Sequence, residues 1–136
     1  MTQGHLYTVT ELASELGMTA RAIRFYEDKG LITPQRAGTT RVYSARDRAR
    51  MILILRGKRL GFSLSTIKEY LDLYDTDITQ HAQLKLLLGS IAKRREQLVA
   101  QRQAIDEALS ELSDIAAQTE AALQRPDPRA RRAASG

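Results

Sequence analysis

The 136-residue chain has no cysteine and no tryptophan. Without cysteine it cannot form disulfides, thiolate metal sites or a thiol redox sensor. It has only two histidines, His5 and His81, which stand too far apart for a metal-ligand spacing such as H-x-x-x-H. Its three prolines and eight glycines are few, which favours a helical chain. Aromatic residues make up only 5%, which points to aliphatic packing between helices. No apolar run approaches the roughly 20 residues that a membrane span needs. The amino terminus lacks a basic region followed by an apolar stretch, so no signal peptide is expected. A soluble, cytoplasmic (nucleoid-associated) protein is the default expectation. No set of nucleophile, base and orienting group stands out, and a Gly-rich phosphate loop is absent, so catalysis is not expected. Neither a cofactor nor a metal is called for.

The charge is informative for its placement. The net charge is +5. Between Leu16 and Thr66 eleven Lys or Arg stand against three Asp or Glu. Between Thr76 and Gln124 the balance reverses, five against seven. The first region has the charge of a polyanion binder; the second does not.

The first region also carries the clearest local signals. Thr8-Val9-Thr10-Glu11 has capping-box spacing, and Val9, Leu12, Ala13 and Leu16 follow at i, i+3, i+4, i+7. Gly17 ends that helix and Thr19 caps the next, T-A-R-A-I-R-F-Y-E-D-K-G, which Gly30 is placed to end. Two short helices around a tight Gly-containing turn form a helix-turn-helix, whose second helix enters the major groove. On that helix Ala22, Ile23 and Phe25 are expected to face a small core. Arg21 and Arg24 share an outer face, with the Tyr26 phenol close by. Taken alone, this helix reads more readily as an ordinary surface helix with solvated arginines.

The residues after this helix shift the balance. Leu31 to Pro34 leaves the helix extended, Gly38-Thr39-Thr40 turns the chain, and Arg41-Val42-Tyr43 alternates as a short strand does. The pair makes a small hairpin, or wing, with Arg36 and Arg41 at its tip. Ser44 and Asp47 signal another capped helix, running to about Leu60, with Met51 to Leu55 expected to be largely buried. Its last turn carries Lys58 and Arg59, as the helix dipole favours. Ser63 caps a further helix with Leu64, Ile67, Tyr70 and Leu71 inward. The link R-L-G-F-S between the two is expected to act as a second wing whose amides meet a phosphate. Leu6 and Tyr7 are expected to enter the fold, so this unit spans residues 6–75.

From residue 79 to 124 the pattern changes. Leu84, Leu88, Ile91, Arg95, Leu98, Arg102, Ile105, Leu109, Leu112, Ala116, Thr119 and Leu123 follow alternating steps of four and three, and nine of the twelve are apolar. A sustained 3.5-residue period predicts a coiled coil. A helix of about forty residues extends about 60 Å, too far to bury its stripe on the preceding unit. The simplest partner is the same helix of a second copy, with Leu84, Leu88, Ile91, Leu98, Ile105, Leu109 and Leu112 as the dimerisation residues. Arg95 and Arg102 interrupt the stripe, as register-setting polar residues do. Residues 125–136, with two prolines and four arginines, are expected to form a disordered basic tail.

With these elements in place, the run Y-T-V-T-E-L-A-S-E-L-G-M-T-A-R-A-I-R-F-Y-E-D-K-G-L-I-T-P from Tyr7 to Pro34 resembles the MerR (mercury-resistance regulator) family of bacterial transcription factors. R-V-Y-S at Arg41 to Ser44 and L-G-F-S-L at Leu60 to Leu64 continue the likeness. The resemblance implies a mainly α protein: a winged helix-turn-helix head with a small β-hairpin wing, then a long helix forming an antiparallel coiled-coil dimer. It implies Arg21, Arg24 and Tyr26 on the recognition helix, Arg36, Arg41 and Tyr43 on the first wing, and Lys58 and Arg59 near the second. The capping residues Thr19 and Ser63 complete the expected DNA-contact set. The family typically binds promoter DNA as a homodimer on a palindrome. It bends and untwists an over-long spacer so that RNA polymerase reads both promoter elements.

Two departures stand out. Where the family usually carries Gly-Tyr-Arg in the first wing, this chain has Thr39-Thr40-Arg41, so that tyrosine contact is absent. The chain also lacks the cysteines of metal-sensing members, and a large carboxy-terminal ligand domain is not expected. The stretch L-I-L-R-G-K-R-L-G-F-S-L from Leu53 to Leu64, followed by Leu73-Tyr74-Asp75, looks like the branch that controls leucine, isovalerate and other acyl-CoA breakdown. The resemblance leaves the effector open. Two other readings compete: an architectural or excisionase-like DNA-bending protein, against which the long dimer helix argues, and a coiled-coil adaptor, against which the basic head argues.

Overall fold

The computed structural model describes residues 4–75 and 81–130. Among these, seven elements follow in order: α1 (Val9–Leu16), α2 (Ala20–Asp28), β1 (Gln35–Ala37), β2 (Thr40–Val42), α3 (Ala45–Leu60), α4 (Leu64–Asp75) and α5 (His81–Gln124). The chain divides into two units, residues 1–92 and 93–136, and the break falls inside α5.

In the first unit the helix starts lie where their caps dictate. The Thr8 hydroxyl accepts from Glu11 N and the Glu11 carboxylate accepts from Thr8 N, both at 3.1 Å. Thr19 Oγ1 accepts from Ala22 N at 3.1 Å, and Ser44 and Asp47 repeat the reciprocal box at α3. Each cap satisfies a first-turn amide that has no partner inside its helix. Between α1 and α2 the turn needs a left-handed residue, and Gly17 supplies it at φ 66°. Met18 N returns to Ala13 O at 3.0 Å, which closes the helix-turn-helix tightly.

The wing is a two-stranded antiparallel hairpin with Gln35 opposite Val42, Arg36 opposite Arg41 and Ala37 opposite Thr40. Tyr43 lies one residue past β2 and bridges to Tyr7, each backbone N–H donating to the other's carbonyl at 2.8 Å. The lead-in is thus tied to the wing's base, through Tyr7. Leu6 remains exposed, contrary to the expectation that it enters the fold.

Leu12, Ala13, Ile23, Tyr26, Leu31, Ile32, Tyr43, Met51, Ile54, Ile67 and Leu71 form one core. It draws on α1, α2, the link after α2, the wing's base, α3 and α4. At one point α3 and α4 meet too closely for a side chain: a Cβ on Gly57 would lie 2.9 Å from Ile67 Cγ1.

The core differs from the sequence expectation in three places. On α2 the inward residues are Ile23 and Tyr26, while Phe25 is 44% exposed. Ile23 and Tyr26 are three apart and share a face, whereas Phe25 sits about 100° round from Tyr26. On α3 only Met51 and Ile54 of the apolar run are buried; Leu53 and Leu55 are half-buried and Ile52 exposed. A helix packed on one side cannot bury five consecutive residues. On α4 Ile67 and Leu71 are buried, while Leu64 is exposed and Tyr70 half-buried.

α5 is 44 residues long, about 66 Å at ~1.5 Å per residue. Leu87, in the first unit, is its one buried residue among those described. In the second unit Leu98, Ile105, Leu109 and Leu112 are exposed, as are Leu88 and Ile91 before the break; Leu84 is half-buried. The expected helix start at residue 79 lies outside the described residues. Of the expected tail, residues 125–130 are exposed, with a helical turn at 128–130, and residues 131–136 lie outside the described residues. No helix among the described residues is long and apolar enough to cross a membrane.

Candidate nucleic-acid interface

In the first unit the cations expected to meet DNA lie on α2, on the wing and in the last turn of α3, while Arg46, Arg48, Arg50 and Arg56 lie elsewhere on α3. On α2 the capping Thr19 starts the helix one residue before Ala20, so Arg21 and Arg24 fall on its exposed side. Neither makes an ion pair among the described residues. Their spacing of three puts them side by side on one face. Nearby, the exposed Phe25 ring carries Lys29 Nζ at 5.5 Å from its centroid. Phe25 also meets Tyr26 edge-on at 5.2 Å.

Two tyrosines of the expected contact set belong elsewhere. Tyr26 is 4% exposed and Tyr43 has no exposed surface, so both are core residues rather than outer-face hydroxyls. The reason is the same for each: a large apolar ring contributes more by burial than at the surface, provided its hydroxyl finds a partner. For Tyr43 that partner is Glu27, whose Oε2 accepts the phenolic hydrogen bond at 3.2 Å. Burial and the adjacent Glu27 carboxylate push the Tyr43 phenol up to about 12.

The two arginines of the wing differ. Arg36 is exposed and its Nη1 donates to the Thr39 carbonyl at 3.4 Å. Arg41, opposite it in register, is half-buried and donates from Nε to Glu27 Oε1 at 3.0 Å. Sequence reasoning missed Glu27. Its signal was there: it is one of only three acids among the fourteen charged residues from Leu16 to Thr66.

Lys58 and Arg59 stand exposed in the last turn of α3. Two amides of the link after them are used in closing α3. Gly61 N donates to Lys58 O and Phe62 N to Gly57 O, both at 3.0 Å, so both N–H groups cap α3. The Ser63 hydroxyl is likewise engaged, accepting from Thr66 N at 3.2 Å and donating to Thr66 Oγ1 at 3.0 Å. Between the link and α2 runs a groove of about 500 Å³, lined by Thr19, Arg21, Phe25, Lys58, Phe62 and Leu64 among others. It brings the cations of α2 and α3 to one surface.

Known proteins share this arrangement. A family model described as "MerR HTH family regulatory protein" matches residues 7–73, and one described as "MerR, DNA binding" matches residues 48–115. The chain is 30% identical over 109 residues to the HTH-type transcriptional regulator CueR of Salmonella typhi, covering 79% of this chain and 72% of that protein. It is 35% identical over 85 residues to the HTH-type transcriptional regulator HmrR of Rhizobium leguminosarum bv. viciae, covering 57% and 66%. Among solved structures, a MerR family transcriptional regulator from Bacillus cereus superposes with a TM-score of 0.64 at 26% identity, over 90% of this chain and 88% of that one. HiNmlR, a MerR family regulator lacking the sensor domain and solved bound to promoter DNA, shares the fold with a TM-score of 0.60 at 23% identity, over 90% and 98%. The helix-turn-helix, the two-stranded wing and the long helix therefore have one common explanation: this chain belongs to the MerR family of DNA-binding transcriptional regulators.

Proposed function

We propose that the protein acts as a homodimer on a palindromic promoter, with one α2 helix of each copy in successive major grooves and the wings on the flanking backbone. The observation that carries this reading is the pairing of Arg21 and Arg24, exposed and without ion-pair partners among the described residues, with a cationic wing in the same unit. Arg21, Arg24, Arg36, Lys58 and Arg59 are the side chains assigned to DNA, mostly to phosphates. Thr19 and Ser63 belong to the same surface as helix caps.

The dimer is assigned to α5. Its stripe of Leu88, Ile91, Leu98, Ile105, Leu109 and Leu112 is exposed in the single chain. A second copy covers such a stripe with a 3.5-residue repeat, and a two-fold protein matches a two-fold operator. A dimer presents two α2 helices at once, and DNA bent or untwisted to meet both is bound best. That distortion is the proposed means of controlling transcription initiation by RNA polymerase. The stretch Leu53 to Leu64 supports target genes of leucine, isovalerate or acyl-CoA breakdown; sequencing of promoter fragments recovered with the protein checks that assignment.

Footprinting on the chain's own promoter, followed by transcription in vitro, tests the whole reading. The expected result is a two-fold symmetric footprint, a steep loss of affinity with salt, and a change in open-complex formation. Each neutralised phosphate contributes about −0.9 to the slope of log K against log salt. DNA binding with no effect on open-complex formation removes the regulatory reading and leaves an architectural one.

A further inference from the structure

Glu27 uses both carboxylate oxygens on the wing side of α2. Oε1 accepts from Arg41 Nε at 3.0 Å and Oε2 from the Tyr43 hydroxyl at 3.2 Å. The Glu27 side chain is 17% exposed and the Arg41 side chain 37%. Arg41 lies within β2 and Tyr43 just past its end, so one side chain of α2 holds both the arm and the base of the hairpin. Tyr43 is in turn fixed by its core burial and by its two backbone bonds to Tyr7. Across the ladder, Arg36 bonds within the hairpin, to the Thr39 carbonyl, and not to α2.

A hairpin of two three-residue strands is too short to hold its own geometry in water. Its orientation must come from what it is tied to. A half-buried arginine already neutralised by a carboxylate also releases few counterions when DNA arrives, whereas an exposed, uncompensated one releases about one per phosphate.

We infer that Glu27 is a positioning residue for DNA recognition: through Arg41 and Tyr43 it sets the wing's angle to α2, and it leaves Arg36 as the wing's phosphate-gripping cation. This rests on the reading that α2 and the wing meet one duplex. Arg41 is then a strut, and the wing is ordered at folding rather than at binding.

The experiment is salt-dependent operator binding by the full-length protein, with hydroxyl-radical footprinting of each variant. Arg36→Ala is expected to reduce the salt slope by about one. Arg41→Ala is expected to weaken binding about tenfold while keeping the wild-type slope, because ordering the wing now falls on the binding step. Glu27→Ala is expected to lose protection at the wing phosphates and retain it beneath α2. The Glu27→Ala/Arg41→Ala double variant should bind no more weakly than the worse single one, since the two act as one unit. An Arg41→Ala variant that flattens the slope as much as Arg36→Ala overturns the inference, as does Glu27→Ala with full wing protection at wild-type affinity. If Glu27→Ala melts below the assay temperature, the Arg41→Ala slope decides alone. Failure of the broader reading is distinguishable, because it shows in the wild-type protein as an absent or salt-insensitive footprint.

Discussion

In the first unit, Leu12, Ile23, Met51 and Ile54 reach zero exposure, packed by helices crossing on several sides. In the part of α5 beyond Ala92, Ile105, Leu109 and Leu112 keep between 57% and 61% of theirs. Both regions are rich in Leu and Ile, so hydrophobicity does not separate them. What separates them is whether the chain supplies a second surface. The head brings six segments to one core, while the long helix presents its stripe without a cover from its own unit. Full burial of a Leu or Ile side chain stabilises by about 1.5–3 kcal/mol, so an open stripe of this length is a strong drive for association. The head finishes its own fold, whereas the stripe of the long helix calls for a cover from outside its own unit, which we propose to be a second copy.

The most severe way to break that contrast is Leu98→Asp. A charge in the middle of the stripe should shift the protein to the 15.2 kDa chain mass in sedimentation equilibrium and abolish operator binding. A monomer that retains full affinity refutes the dimer assignment. On the other side, Ile54→Ala should cost the head about 2–5 kcal/mol in urea denaturation while leaving far-UV helicity of the rod in place. Equal loss of both signals would mean the two regions unfold as one.

Arg24→Ala should weaken operator binding by about 1–3 kcal/mol with dimer mass and circular dichroism unchanged. Loss of affinity through unfolding would remove Arg24 from the interface. Gly57→Ala should destabilise the head by about 1–3 kcal/mol, because the new Cβ meets Ile67 inside the α3–α4 contact. In an Ile67→Ala background, which removes that Cγ1, the Gly57→Ala change should cost less than in the wild type.

The smallest effect concerns pH. The Tyr43 phenol is held near 12 in the folded head, against an ordinary value of 10.0. The unfolded chain therefore gives up this proton first, and the associated stability, full below pH ~10, falls as pH rises towards ~12. Tyr43→Phe should shallow the alkaline limb of a stability–pH profile followed by urea denaturation. An unchanged limb would assign it to other groups.

The readable part of this molecule was the part governed by neighbours in sequence. Thr8 with Glu11, Thr19, and Ser44 with Asp47 sit within three residues of the amides they cap, so their helices begin where the chain says they do. The 3.5-residue repeat of α5 and the charge excess from Leu16 to Thr66 are likewise one-dimensional properties. The errors lie where a face had to be chosen. Phe25 and Tyr26 are adjacent aromatics, and which one turns inward depends on where Ile23 meets the other helices. The R-L-G-F-S link was expected to offer its amides to a phosphate, yet closing α3 uses those of Gly61 and Phe62.

Capping, turn chemistry and periodicity are short-range. The order of residues alone therefore makes this chain helical, winged, cationic in its first half and equipped with a repeating apolar stripe. It took the assembled head to turn Arg41 and Tyr43 towards Glu27 and to leave Arg36 facing solvent. Those partners are fourteen and sixteen residues apart. Nothing short-range distinguishes Arg36 from Arg41; their roles separate only when the hairpin folds against the recognition helix.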